Sequence, residues 1–235
     1  LYTLVKMLNK PGVSILTIED PVEYSIDGIN QIPVQARTGL SFANGLRSML
    51  RQDPNVIMVG EIRDVETAGL AVQAALTGHL VFSTLHTNDA PTTLPRLLDM
   101  KVEPYLIAST VNVAIGQRLL RRICEHCKKV HTLTPEETKS LSGVIPADLL
   151  AKHTQFARGA GCDACANTGY RGRVGIYEVM EVEAEVRNAI LRKAPASELR
   201  EVAIKEGMVP MLVDGFIRAA QGQTTIEEVL RMQYE

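Results

Sequence analysis

Val56-Ile-Met-Val-Gly-Glu61 is a short apolar run closed by an acid, and two runs of the same kind flank it. Upstream is Ile15-Leu-Thr-Ile18, closed by Glu19-Asp20-Pro21; downstream is Leu80-Val-Phe-Ser-Thr-Leu85, closed by His86. Continuous apolar runs of this length, rich in β-branched residues, are what a strand buried on both faces requires. The segments between them have helical punctuation. Ser41 can cap a helix that puts Phe42, Leu46, Met49 and Leu50 on one face and stops at Asp53-Pro54. Asp64 can cap another that runs to Thr77, with Gly78 as its stop. A helix over Leu1 to Leu8, ended by Pro11-Gly12, comes before the first strand, and helices over 91–100 and 104–120 come after the third. Strands alternating with helices predict an α/β fold with a mostly parallel sheet covered on both faces. Ligands of such sheets sit beyond the carboxyl ends of the strands, which is where Glu19, Asp20, Glu61 and His86 fall.

The pattern changes after residue 120. Residues 121–175 hold two C-x-x-C pairs, Cys124/Cys127 and Cys162/Cys165, and a glycine-rich stretch from Gly159 to Gly175. Between the pairs, Thr134-Pro-Glu-Glu137 has the form of a capping box with proline at the first helical position, so a small helical insertion is expected. Residues 176–235 open on a strand-like Ile176-Tyr-Glu-Val-Met180 and continue as short helices near 184–193, 197–206, 210–221 and 225–233. Three parts are therefore expected: an α/β core over 1–120, a cysteine module over 121–175 and a mainly helical subdomain over 176–235.

Composition narrows the function. A chain of 235 residues with 46% hydrophobic and 22% charged residues can bury an ordinary globular core. A formal net charge of −2, no tryptophan and 4% aromatics offer neither the basic surface nor the stacking platforms of a nucleic-acid binder, and no nucleic-acid partner is expected. No apolar run reaches the roughly 18 residues of a membrane-spanning helix. Two cysteine knuckles separated by 34 residues match a closed tetrahedral four-cysteine zinc site, with Cys124, Cys127, Cys162 and Cys165 as thiolate ligands.

Other residues carry chemistry by position. Glu19, Asp20 and Glu23 place three carboxylates at the end of a buried strand, where a carboxylate can orient a water or hold hydrated Mg²⁺. Glu61 ends a strand of Walker B character whose usual aspartate position holds Gly60. Arg47 and Arg51 lie four apart on one helix face, suited to phosphate or to a subunit interface. His86-Thr-Asn88 follows the third strand, placed to sense a phosphate; His79 precedes that strand and should sit at its other end or in the loop. Taken one at a time, each of these also fits an ordinary solvated surface.

Taken together, the segments resemble the ATPases of type II secretion and type IV pilus assembly. Thr17-Ile-Glu-Asp-Pro-Val-Glu-Tyr24 is similar to the family's Asp box. Leu46-Arg-Ser-Met-Leu-Arg-Gln-Asp-Pro54 through Val59-Gly-Glu-Ile-Arg-Asp64 is similar to its Walker B region. Thr77-Gly-His-Leu-Val-Phe-Ser-Thr-Leu-His86 is similar to its His box, and the cysteine pairs with Gly169-Tyr-Arg-Gly-Arg-Val-Gly-Ile-Tyr-Glu178 are similar to its zinc module. The cysteines favour the secretion and pilus-extension branch over the retraction ATPase. The resemblance implies a RecA-like core, the cofactors ATP, Mg²⁺ and Zn²⁺, and a homo-hexameric motor. It implies a cytoplasmic location on the inner membrane, working with a platform protein and its associated cytoplasmic linker. It makes Glu23 the base that positions the attacking water, Glu61 the Mg²⁺ carboxylate and His86 the residue facing the γ-phosphate. Arg47, Arg51, Glu19, Asp20 and His79 become nucleotide, metal or subunit-interface residues. One departure stands out: G-x-x-x-x-G-K-[ST] occurs nowhere in the 235 residues. In the family it lies just before the helix that Leu1-Tyr-Thr-Leu4 resembles. The expectation is therefore a C-terminal piece of such a motor that alone binds ATP poorly; the rival reading is a non-catalytic RecA-like/zinc interaction module.

Overall fold

The computed structural model describes residues 1–143, 145–153 and 155–232. Its contacts divide the chain into two compact units: Leu1–Asn112 with Val182–Val202, and Val113–Glu181 with Ala203 onward.

The first unit is built on four parallel strands in the order β2-β1-β3-β4. They are β1 (Ile15–Glu19), β2 (Asn30–Pro33), β3 (Val56–Val59) and β4 (Leu80–Ser83). Every residue of β1 and β3 is buried, as their continuous apolar runs require. Alternation along β1 sends Ile15, Thr17 and Glu19 to one face and Leu16 and Ile18 to the other. Against the first face lies α1 (Tyr2–Leu8), whose Val5 packs into a cluster with Ile15, Val56 and Met58. On the second face α2 (Phe42–Met49) approaches so closely that a β-carbon on Gly45 would meet Ile18 Cδ1 at 1.9 Å. The expected caps are present: Ser41 Oγ accepts from Asn44 N at 3.2 Å, and Asp64 Oδ1 accepts from Thr67 N at 2.8 Å to start α3 (Val65–Leu76). Helices α4 (Thr93–Asp99), α5 (Pro104–Thr110) and α8 (Ala184–Leu191) complete the unit, and α9 (Ala196–Lys205) begins in it.

The helix expected over 104–120 is half wrong. It ends at Thr110, and Val113–Ile123 is a long strand, β5, antiparallel to β8 (Tyr170–Glu181) from Val113↔Glu181 to Ile123↔Tyr170. Residues 113–116 alternate exposed and buried, a period-2 pattern hidden at the sequence level because the same apolar residues also satisfy a helical period. This hairpin is the spine of the second unit. Its buried face meets α10 (Met211–Ala220) and α11 (Ile226–Arg231) around Leu120, Ile176, Phe216 and Val229. The expected helix over 225–233 thus ends at Arg231, and residue 233 lies outside the described residues. The hairpin crosses both boundaries that composition placed at 120 and 175. Between its strands are a second hairpin, β6 (Lys128–Thr132) with β7 (Gln155–Gly159), and helices α6 (Pro135–Leu141) and α7 (Ala147–Lys152). The capping box at α6 is formed: Thr134 Oγ1 accepts from Glu137 N at 3.2 Å and Glu137 Oε2 from Thr134 N at 2.8 Å.

Candidate active site and metal centre

Backbone bonds stitch together the carboxyl ends of three strands. Gly60 N donates to Ile18 O at 2.7 Å, joining β3 to β1, and Ile62 N donates to Thr84 O at 2.9 Å, joining β3 to the segment after β4. Thr84 Oγ1 adds a bond to Gly60 O at 2.7 Å. Gly60 occupies a crowded position, since a β-carbon there would lie 3.2 Å from Ile18 O and 3.3 Å from Glu19 Cα. A side chain at this point would be tight against β1, and the acid stands one residue later.

Glu61 is that acid. Its side chain is 11% exposed, and it accepts from His86 Nε2 at 2.8 Å and pairs with Arg63. Burial pushes its pKa up, but the Arg63 guanidinium and His86 outweigh burial and hold it below the ordinary glutamate value. Glu61 is thus an anion at neutral pH. The Arg63 guanidinium is held charged by Glu61 against a smaller effect of burial, with Asp20 adding to the attraction. Arg63 thus pairs with Glu61 and feels the Asp20 carboxylate only as a weaker attraction. No sequence signal singled Arg63 out, because Glu61 and Arg63 lie past the end of β3 in a segment with no regular period. The partners of Glu61 are open to water, with side-chain exposures of 58% for Arg63 and 78% for His86. His86 borders a shallow depression open on Thr92, Arg96 and Asp99.

Glu19 and Glu23 sit differently although they are four residues apart. Glu19 is buried and held by three donors: it accepts from Tyr2 Oη, from Thr17 Oγ1 at 2.5 Å and from Gln31 Nε2 at 3.1 Å. Asp20 and Glu23 are exposed on the loop beyond it. Arg47 reaches Asn44 Oδ1 at 3.2 Å and Glu66, rather than the strand-end carboxylates, and Arg51 is exposed past the end of α2. His79 stands at the opposite end of β4 from His86, its Nδ1 2.9 Å from Ala74 O and 3.0 Å from Thr77 Oγ1, closing the last turn of α3.

The four cysteines form a second centre. Their sulfurs all lie within 4.8 Å of one another. Cys124–Cys162 and Cys127–Cys165 are each 3.9 Å apart, and Cys162–Cys165 3.7 Å. A tetrahedron of thiolates ~2.3 Å from zinc has edges of ~3.8 Å, whereas a disulfide needs ~2.05 Å. The donor set therefore fits zinc. Two backbone N–H groups, of Cys162 and Gly169, donate to Cys165 Sγ at 3.3 Å each. Burial pushes the Cys165 thiol up, yet these donors and the neighbouring thiols bring it down to about 6; burial and neighbouring sulfurs push Cys162 up to about 11. A glycine pair makes the cage possible: a β-carbon on Gly159 would lie 2.0 Å from Gly169 O.

A family model described as type II/IV secretion system protein matches residues 1–231. The chain belongs to the type II/IV secretion system protein family. The type IV pilus assembly ATPase PilB of Thermus thermophilus is 47% identical over 234 residues, covering 100% of this chain and 26% of that protein. PilB of Pseudomonas aeruginosa is 48% identical over 232 residues, covering 99% of this chain and 40% of that protein. Type II secretion system protein E of Xanthomonas campestris is 47% identical over 234 residues, covering 99% and 40%. The chain thus spans 26% to 40% of the length of these relatives. Among solved structures, the pilus retraction motor PilT with bound ADP matches with a TM-score of 0.68 and 29% identity, over 98% of this chain and 56% of that one. The ATPase DotB of Legionella pneumophila, at 23% identity and a TM-score of 0.66, over 98% of this chain and 55% of that one, supports the fold alone. The parallel core, the tetracysteine cluster and the secretion and pilus-assembly relatives agree with the expectations drawn from the sequence.

Proposed function

We propose that these residues are the hydrolytic part of a hexameric motor subunit that converts ATP hydrolysis into assembly of a type IV pilus or a type II secretion pseudopilus. The observation that carries this reading is the convergence of Glu61, His86 and the Glu23 loop at the carboxyl ends of three adjacent parallel strands, in a chain whose relatives are pilus and secretion ATPases.

Glu61 would hold Mg²⁺, directly or through water; the bound ion would neutralise the phosphate charge that builds up during transfer. Its present partners do not oppose this. Ion pairs to exposed side chains such as Arg63 and His86 are weak, because water screens them, so both can give way. Glu23, exposed just beyond β1, would orient the attacking water and take its proton. His86 would face the γ-phosphate. The exposed Arg47 and Arg51 suit a phosphate or a neighbouring subunit. The tetracysteine module would bind one zinc as a structural centre. A platform protein and its cytoplasmic linker at the inner membrane would be the partners, and no helix among the described residues is long and apolar enough to cross a membrane.

Residues 1–235 contain no G-x-x-x-x-G-K-[ST], so in this reading the phosphate cradle belongs to the longer chain of the relatives. Backbone N–H groups and a lysine hold the β- and γ-phosphates in such motors. Isothermal titration with Mg-ATP tests the division of labour. A chain extended to the relatives' length should bind tightly and hydrolyse ATP, while residues 1–235 alone should bind weakly and show no turnover. Tight Mg²⁺-dependent binding by residues 1–235 would place the nucleotide elsewhere.

A further inference from the structure

The loop that carries Glu23 has few bonds of its own and is held from outside. Three of its backbone groups are satisfied by side chains on other elements. Glu23 N donates to Tyr2 Oη at 3.1 Å, Ile26 N donates to Gln31 Oε1 at 2.7 Å, and Tyr24 O accepts from Gln31 Nε2 at 3.2 Å. Tyr2 is on α1 and Gln31 is on β2. Both side chains also converge on the buried Glu19 carboxylate. Period-2 alternation explains the convergence, since Glu19 points to the sheet face on which α1 lies. The ring of Tyr24 closes the arrangement. It stands edge-on to Tyr2 with centroids 4.7 Å apart and lies under Lys6 Nζ at 4.6 Å.

The hydrogen bonds have a direction. A tyrosine hydroxyl has one proton and two lone pairs. A buried carboxylate must be given donors, and Tyr2 gives its proton to Glu19, which leaves its lone pairs for Glu23 N and, more distantly, Gln31 Nε2 at 3.4 Å. Burial and the Glu19 carboxylate both raise the Tyr2 pKa, so the hydroxyl keeps that proton across the working pH range. Glu19 thus sets the Tyr2 hydroxyl, and the hydroxyl sets the backbone of Glu23.

We propose that Tyr2 is a positioning residue for hydrolysis: oriented by buried Glu19 and backed by Gln31, it fixes the backbone from which Glu23 reaches the attacking water. The proposal rests on the reading of Glu23 as the base, and it changes the part played by Glu19 from ligand to anchor. Positioning errors of about 1 Å at a reacting group cost up to ~10²-fold in rate.

The test uses a chain of the relatives' full length. Tyr2→Phe keeps the ring against Tyr24 and removes only the hydroxyl. It should lower kcat by about 10- to 100-fold and leave the KM for ATP within about 2-fold. Gln31→Met should give the same split, and it carries the test if Tyr2→Phe does not fold. Combining Tyr2→Phe with Glu23→Gln should cost no more than Glu23→Gln alone, because a displaced base that is already lost cannot be lost again. Wild-type kcat in Tyr2→Phe beside an inactive Glu23→Gln would overturn the proposal and leave Glu23 as the base. A loss carried by KM, or effects that multiply in the double variant, would also overturn it. Wild-type turnover in Glu23→Gln would instead sink the reading of Glu23 itself.

Discussion

Replacing Gly159 with alanine should weaken zinc binding although it leaves all four thiols in place. The added β-carbon would stand 2.0 Å from Gly169 O and 2.6 Å from Gly169 C and Cα, more than 1 Å inside ordinary contact. Neither partner is a flexible side chain, so Gly169 or strand β7 must move. Gly169 serves both knuckles: its O accepts from Cys124 N at 3.0 Å, and its N donates to Cys165 Sγ at 3.3 Å. A backbone bond is worth ~0.5–1.5 kcal/mol and one to a charged group ~1.5–3 kcal/mol. Losing both is worth roughly 2–4.5 kcal/mol, or about 30- to 2,000-fold in zinc Kd. Competition with a chromophoric chelator at pH 7 reads that shift directly. Gly69→Ala is the control: nothing lies within 4 Å of a β-carbon at that exposed helical position, and zinc affinity there should be unchanged. Wild-type zinc affinity in Gly159→Ala would refute the reasoning that the glycine pair, and not the thiols alone, builds the cage.

Cys162→Ser should abolish stoichiometric zinc and loosen the segment between the β5 and β8 strands, seen as faster proteolysis there, with the parallel-sheet unit still folded; elemental analysis should find about one zinc in the parent chain and none in the variant. Glu228 accepts from Arg121 N at 3.0 Å and Arg121 Nη2 at 2.6 Å; burial pushes its pKa up, and Arg121 more than reverses that. A carboxylate depressed in the folded state adds stability that is complete above its unfolded value of ~4.3 and is lost as pH falls through the folded value. The Tm of the second unit should therefore drop on acidification below about pH 5, and Glu228→Gln should start lower and flatten that slope.

The legible parts of the fold were those whose physics is local. Strands β1 and β3 are buried on both faces and advertise it as unbroken apolar runs. Ser41, Asp64 and Thr134 cap helices with their own side chains, and the cysteine spacing alone predicted a cluster. The edge strand β2 was missed because Asn30-Gln-Ile-Pro33 is polar and only half buried, and β6 because Lys128-Lys-Val-His-Thr132 faces water. Strand β5 reads in sequence as the end of a helix because its partner, Tyr170–Glu181, lies far along the chain. The site was legible as a set of acids and histidines at strand ends. The difference between Glu19 and Glu23 was not, because it depends on Tyr2 and Gln31, which only the fold brings to Glu19. The ion pair between Arg63 and Glu61 needed the backbone after β3 to be known.

The central claim is that the Glu23 loop and Glu61 serve ATP hydrolysis, and one comparison tests it most directly. In a chain of the relatives' full length, steady-state Mg-ATP turnover and ATP binding are measured for the parent and for Glu23→Gln. Turnover should fall by about 10²- to 10⁴-fold, the worth of general-base assistance, while ATP binding is kept. A parent chain that does not hydrolyse ATP, or a Glu23→Gln variant that hydrolyses it at the parent rate, would contradict the account.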